Sequence, residues 1–261
     1  MSTEPFLLPE GTRVIVTAGA SGIGRAIADL LIAQKARVHI CDIDDAALAA
    51  FKKVHPAHGA TKADVSKEAD VDTLFADAAK TLGGLDALIN NAGIAGPTGK
   101  VEDLSPAEWN RTIDICLTGQ FLCTRKAVPL IKAAGGGSIV NMSSAAGRFG
   151  YAFRTPYAAA KWGVIGFTQS LAKELGPDNI RVNAILPGIV EGPRMTNVIK
   201  ARAEQTGVSY KDMEKTYLDR VSMRRMVTAE DVAGTILFLL SRAGRHISGQ
   251  SLGVDGNVET L

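Results

Sequence analysis

Cysteine is scarce in this chain, aromatic residues make up 5% of it, and neither sign of charge dominates, with 29 Lys and Arg against 27 Asp and Glu. Each scarcity excludes something. Cys41, Cys116 and Cys123 form no C-x-x-C pair. Two helical cysteines seven residues apart, as Cys116 and Cys123 are, sit about 10 Å apart along the axis, too far for a disulfide, so the thiols are expected to be reduced. His39, His55, His58 and His246 are scattered without the spacing of metal ligands, and no metal site is expected. The net charge of +2 arises from Lys and Arg interspersed with acids, which argues against a nucleic-acid footprint. No window of about 20 uninterrupted apolar residues exists to span a bilayer, and the N-terminus lacks a charged segment followed by a long apolar stretch. A cytoplasmic protein is expected, with a small-molecule partner and with neither nucleic acid nor membrane.

What is present is apolar bulk in alternating segments. At 261 residues, 46% apolar and 21% charged, the chain fits one domain, because no Pro/Ser-rich linker or charge block divides it. Arg13–Thr17 is a short β-branched run, and Ile23, Ile27, Leu30 and Leu31 then recur at helical spacing. Between them lies Ala-Gly-Ala-Ser-Gly-Ile-Gly, ending at Gly24. Such a turn lets backbone N–H groups approach a pyrophosphate at a helix N-terminus, although by itself it is as readily a plain loop, and its spacing is not G-x-G-x-x-G. A second strand runs from Arg37 into Asp42, about 20 residues beyond the turn. An acid there can hydrogen-bond both ribose hydroxyls of an adenosine and repel a 2′-phosphate, and Ala20, Ser21 and Ile43 offer no cation. NAD rather than NADP is expected; the plainer alternative is an acid that only turns the chain into the helix at Asp44 and Asp45.

Residues 60–63 form a candidate strand ending at Asp64-Val65, followed by a helix through Val71, Leu74, Phe75 and Ala78. Residues 87–89 lead into Asn90-Asn91-Ala92-Gly93. Ser105, Pro106 and Glu108 form a capping box with Pro at the first helical position, opening one long helix to about Lys132. Three glycines at 135–137 stop it before a strand at 138–142. This alternation predicts a three-layer, doubly wound parallel sheet of the Rossmann type with helices on both faces. Ligands then sit beyond the carboxyl ends of the strands, where the turns at Ala18, Asn90, Ser143 and Gly188 fall.

Tyr157-Ala-Ala-Ala-Lys161 places a phenol and an ammonium on one helical face. A fixed cation beside a phenol favours the phenolate, so such a pair can exchange a proton with an alcohol or carbonyl oxygen near neutrality; alone, it is more often an amphipathic edge. Tyr157 and Lys161 follow Ser144 by thirteen and seventeen residues. With Thr17 to Gly24, Asp64-Val65, Asn90 to Gly93, Arg181-Val182-Asn183, Pro187-Gly188, and Ser248-Gly249-Gln250 to Asp255-Gly256, the chain resembles the short-chain dehydrogenase/reductase family from about Gly11 to Gly256. The resemblance implies an NAD-dependent alcohol dehydrogenase or ketone reductase in which Ser144 hydrogen-bonds the substrate oxygen, Tyr157 transfers the proton and Lys161 holds the nicotinamide ribose. It implies cofactor contacts from Thr17, Gly19, Ser21, Gly22, Ile23, Gly24 and Asp42, adenine contacts from Asp64 and Val65, and further contacts from Asn90, Ala92, Gly93, Tyr157, Lys161, Pro187, Gly188 and Val190. It implies a homotetramer. Ser143 reads as structural.

Three positions depart from the family pattern. Ala18 stands where Gly is common; an L-residue with positive φ costs about 1 kcal/mol, so a negative φ and a slightly changed turn are expected. Cys116 falls where many members carry an Asn that bends the long helix in a proton relay behind the Lys, and a thiol is a weaker partner. Gly192 replaces a Thr bonded to the nicotinamide carboxamide, leaving the backbone near Ile189 and Val190 for that task. The family builds its pocket from two segments, one here holding Arg148, Phe149, Tyr151, Phe153 and Arg154, the other Glu191, Arg194 and Met195. Tyr151, Arg154 and Arg194 are the substrate candidates, and arginines suggest a carboxylate, sulfonate or phosphate. Equally, they could serve a subunit contact, or Arg194 could pair with Glu191. Residues 192–225 read as a helical lid within the single domain of residues 1–261, with Met223 and Met226 either lining the pocket or packing the lid, and Ala229–Leu240 reads as a core or interface helix. Two other readings stay open: an NADP-linked 3-oxoacyl reductase, and a non-catalytic NAD(H)-binding sensor or scaffold.

Overall fold

Both faces of the strands are apolar, and that dictates the layers. The computed structural model describes residues 6–258. Seven strands, β1 (Arg13–Thr17), β2 (Arg37–Asp42), β3 (Gly59–Lys62), β4 (Ala87–Asn90), β5 (Gly137–Met142), β6 (Ile180–Pro187) and β7 (Ser251–Val254), form one sheet in the order β3-β2-β1-β4-β5-β6-β7. Every pair is parallel. Successive side chains point to opposite faces. Ile15, Leu88, Ile139 and Val182 therefore enter one buried cluster, with Val71 and Leu74 of α3 (Glu68–Leu82), Ile131 of α5 (Gly119–Ala133) and Leu171 of α6 (Thr155–Leu175). Val14, Val16, Ile40, Ile89, Val140 and Ile185 enter the other, with Ile27 and Leu31 of α1 (Gly22–Ala33), Phe51 of α2 (Asp45–Val54) and Ile236 of α9 (Ala229–Leu240). The expected doubly wound, three-layer Rossmann-type sheet is what forms. Among the described residues no helix is long and apolar enough to cross a membrane.

Order reverses between β1 and β4, whose carboxyl ends diverge into different crossovers, and a crevice opens there. The helix expected over 105–132 is one rod with an irregular centre. It runs as α4 (Pro106–Ile113), a π-helical stretch Asp114–Thr118, and α5. Its start is the expected capping box, with Ser105 and Glu108 satisfying each other's backbone N–H groups. Over the crevice, α7 (Pro193–Thr206) and α8 (Tyr210–Asp219) enclose their own small core of Ile199, Ala203, Met213, Tyr217 and Val221.

The strand next to the edge, β2, contains a buried histidine. His39 Nδ1 lies 2.7 Å from the Thr81 hydroxyl and Nε2 2.9 Å from that of Thr61. Burial pushes its pKa down from 6.5 to about 4, Lys52 assisting and Asp77 opposing. The unfolded chain takes up a proton below about 6.5 that the folded chain refuses, so this stability is complete above pH 6.5 and lost as pH falls towards 4. A loss of up to about 3 kcal/mol is expected over that window. Urea unfolding at pH 7 and pH 4.5 checks it, and His39→Asn is expected to show the smaller acid-induced loss.

Candidate active site

The crevice is shaped first by backbone. Ala18 has φ +48°, against the expected negative value, and Gly22 has φ +52°. The left-handed conformation at Ala18 is held by what surrounds it: its carbonyl accepts from Asn91 Nδ2 at 3.1 Å, and that amide also donates to the Thr17 carbonyl at 3.0 Å. Gly24 lies beneath, where a Cβ would stand 2.0 Å from the Ala18 oxygen. The Thr17 hydroxyl accepts the N–H groups of Asn91 and Ala92, both at 2.9 Å, tying the end of β1 to the loop after β4. Asp42, 9% exposed at the end of β2, accepts from Ala20 N at 3.2 Å and Ile43 N at 2.8 Å, so its carboxylate also braces the glycine turn.

The residues expected to react follow β5 and lie in α6. Tyr157 and Lys161 stand one helical turn apart in α6, with Lys161 Nζ 5.6 Å from the Tyr157 ring centroid. Only 3% of Lys161 is exposed, and its ammonium donates to the Met142 carbonyl at 2.7 Å. The two serines after β5 divide as expected. Ser143 is buried and donates to the Lys161 carbonyl at 2.8 Å, whereas Ser144 is partly exposed and its Oγ accepts from Ala146 N at 3.1 Å. A hydroxyl that accepts from the backbone keeps its own hydrogen for another acceptor.

Cys116 sits at the centre of the π-helical stretch, fully buried. Its sulfur accepts from Ile94 N at 3.4 Å and donates to Ile94 O at 3.5 Å, two weak contacts that hold the loop after β4. The Cys116 carbonyl accepts from Gln120 Nε2 at 3.0 Å, and the same amide reaches the Met142 carbonyl at 3.1 Å. The Gln120 amide and the Lys161 ammonium thus converge on one oxygen, a bridge between the long helix and the lysine that the sequence reading missed.

A cavity of about 400 Å³ joins these parts. Of the residues expected at the site, Ser21, Gly22, Ile23, Gly24, Gly93, Ser144, Tyr151, Arg154, Tyr157, Lys161, Pro187, Gly188, Val190 and Arg194 line it. Thr17, Gly19, Asn90, Ala92 and Cys116 stand behind that lining. Asn90, for instance, is spent on Thr124 at 3.0 Å and Asn141 at 2.9 Å inside the protein. Asp42, Asp64 and Val65 belong to the ends of β2 and β3, outside the lining. Burial alone would raise the Asp64 carboxyl, but Ser66 and Arg111 hold it below the usual carboxylate range.

Helices α7 and α8 contribute Met195, Val198 and Tyr217 to the cavity, as Asn91, Ile94 and Ile189 do from below. The apolar residues of α7 and α8 at helical spacing are legible in the sequence, whereas nothing in it singles out Asn91 over its neighbour Asn90. Met223 is exposed and Met226 packs in the lid, and neither lines the cavity. Arg148 points outward and donates to Ser251 O. Arg194 makes no ion pair with Glu191; it donates to Gly93 O at 2.7 Å, latching α7 to the loop after β4. A second latch joins the Tyr151 and Tyr217 hydroxyls at 2.6 Å, and burial followed by the neighbouring Tyr217 pushes the Tyr151 phenol well above its usual range. Gly192 has φ +131°, a backbone conformation that excludes the family's Thr.

A family model described as enoyl-(acyl carrier protein) reductase matches residues 17–258. Trans-4-hydroxycyclohexanecarboxylate dehydrogenase of Sinomonas cyclohexanicum is 36% identical, covering 93% of this chain and 90% of its own. The cis-4-hydroxycyclohexanecarboxylate dehydrogenase of the same organism is 39% identical, covering 93% and 94%. Among solved structures, levodione reductase superposes with a TM-score of 0.88 at 32% identity, over 95% of this chain and 97% of its own. Matches of this extent, on this sheet and around this crevice, make the protein a member of the short-chain dehydrogenase/reductase family, and so an oxidoreductase.

Proposed function

We propose that this enzyme moves a hydride between NAD and a secondary alcohol or its ketone, with Tyr157 as the acid/base. The observation that carries the reading is that Ser144, Tyr157 and Lys161 line one cavity with the glycine turn. A dinucleotide suits the residues present, since the turn lines the cavity at Ala18, Gly22 and Gly24 and a Cβ at Gly24 would displace the Ala18 carbonyl that shapes it. Ser21, Gly22, Ile23 and Gly24 would hold its pyrophosphate, with Gly19 packed behind them, and Asp42, Asp64 and Val65 its adenosine. Gly93, Tyr157, Lys161, Pro187, Gly188 and Val190 would surround the nicotinamide half, backed by Asn90 and Ala92. Once bound, the cofactor supplies the hydride acceptor or donor.

The chain's own groups do the rest. Ser144, anchored through Ala146 N, donates to the substrate oxygen and fixes its position. Tyr157 takes the alcohol proton as the phenolate while the carbinol hydride passes to the cofactor, or as the phenol gives its proton to the ketone oxygen in the reverse direction. Lys161, fixed by the Met142 carbonyl, is positioned beside the phenol. The two latches close α7 and α8 over the cavity and exclude water. The relatives named for 4-hydroxycyclohexanecarboxylate carry their reactive oxygen as a ring secondary alcohol, which agrees with this reading. The NADP-linked 3-oxoacyl reductase alternative runs against Asp42. A homotetramer is in keeping with the exposed Trp109, Phe121 and Trp162 of the α4–α6 side.

Three variants test the proposal. Tyr157→Phe is expected to lower kcat about 10³-fold while NADH fluorescence titration gives a Kd within about threefold of wild type; retained turnover sinks the mechanism. Gly24→Ala is expected to weaken NAD binding at least about tenfold in the same titration, because its Cβ meets backbone rather than a movable side chain. Asp42→Ala is expected to narrow the NAD over NADP preference in kcat/KM at least about tenfold, whereas a wild-type preference for NADP overturns the cofactor assignment.

A further inference from the structure

Arg154 is a buried cation without an anion. It is 3% exposed, lines the cavity, and makes no ion pair with any carboxylate among the described residues. Its Nη2 donates to the Ala95 carbonyl, while its Nε is buried with no acceptor. The guanidinium carbon lies 5.0 Å from the Tyr157 ring centroid and 5.2 Å from that of Tyr151. A guanidinium has five donors and no means of shedding its charge, and here one carbonyl answers Nη2 while the Nε–H is buried without an acceptor, on a residue that lines the cavity. Its position sharpens the point. Arg154 is the N-cap of the 21-residue α6, whose N-terminus carries positive partial charge. A cation buried there, among ring faces and one carbonyl, is placed where an anion belongs.

We infer that Arg154 receives a carboxylate on the substrate, which makes the natural substrate a short hydroxy acid or the corresponding keto acid. The inference rests on the proposed alcohol dehydrogenase reading and narrows it. Arg154 and Tyr157 share one helix and one cavity, so a single small molecule reaches both, its carbinol at Ser144 and Tyr157 and its carboxylate at the guanidinium. The planar fork matches a carboxylate in two places. A phosphate dianion would call for a second free cation, and Arg194 is engaged with Gly93 O. Glu191 also lines the cavity, is exposed, and forms no pair with Arg154.

The test compares 4-hydroxycyclohexanecarboxylate with its neutral carboxamide in NADH formation, using wild type, Arg154→Gln and Arg154→Lys. Wild type is expected to favour the acid at least about 100-fold in kcat/KM. That ratio is expected to collapse at least about 30-fold in Arg154→Gln and to recover in part in Arg154→Lys, which keeps the charge without the fork. A wild-type ratio near one, which needs no variant to read, overturns the inference. So does an Arg154→Gln that loses acid and amide turnover equally, the mark of a clamp on the loop at Ala95. Calorimetry with cyclohexanecarboxylate, which has no hydroxyl to oxidise, separates this inference from its parent. Binding that Arg154→Gln abolishes, in an enzyme that oxidises no alcohol with NAD or NADP, upholds the carboxylate receptor and defeats the dehydrogenase reading. Turnover of alcohols without any binding of cyclohexanecarboxylate does the reverse.

Discussion

One hydroxyl carries an unusual share of this architecture. Thr17 Oγ accepts the N–H groups of Asn91 and Ala92, and thereby ties together the carboxyl ends of β1 and β4. These strands lie side by side, and their chains leave in opposite directions. Without a clasp, the two loops would be free to drift apart at the point where a ligand is to be bound. Asn91 completes the clasp through the carbonyls of Thr17 and Ala18, and the glycine turn, the floor beneath it and the start of α1 inherit their places from it. Buried polar groups that are fully paired in this way rigidify a site.

The site then concentrates cations in a region of low exposure. Lys161 is offset by the Met142 carbonyl, which also takes the Gln120 amide, and the Lys161 carbonyl takes the Ser143 hydroxyl. Arg154 has a single carbonyl and two aromatic faces. An unpaired buried charge costs several kcal/mol, and protein interiors tolerate it where function demands it. The contrast between the two cations is one of partners: Lys161 is pinned by a carbonyl at 2.7 Å, whereas Arg154 keeps a buried Nε without an acceptor.

The three departures from the family pattern have different physical accounts. At Ala18 the left-handed conformation costs about 1–2 kcal/mol, and the hydrogen bond from Asn91 to its carbonyl offsets part of that. At Gly192 the backbone itself requires glycine, so the missing Thr follows from the way α7 begins. At Cys116 the sulfur replaces an amide with two long contacts to Ile94, and the bridge towards the lysine passes through the Cys116 carbonyl and Gln120 instead. Gln120, four residues beyond Cys116, thus joins the long helix to the Met142 carbonyl that also takes the Lys161 ammonium.

Much of this was written in the order of residues. Apolar strands alternating with amphipathic helices determine a doubly wound parallel sheet, because each face must be covered and crossovers are right-handed. The capping box at Ser105 and the four-residue interval from Tyr157 to Lys161 are local, and local geometry is what periodicity encodes. The sequence marks no strand at Ser251–Val254, a four-residue run of Ser, Leu, Gly and Val that gains strand geometry by pairing with β6. Nor could it tell that Arg148 leaves the cavity while Arg154 enters it, that Arg194 is a latch, or that Ala18 adopts positive φ. Each of these depends on groups about 60 to 100 residues away in the chain, Ala95, Ser251, Gly93 and Asn91 among them. Sequence by itself determined the elements, their layering and the grouping of Ser144, Tyr157 and Lys161; only tertiary structure, by bringing distant carbonyls and amides within hydrogen-bonding reach, decided which charged side chains face the cavity and which merely hold the fold shut.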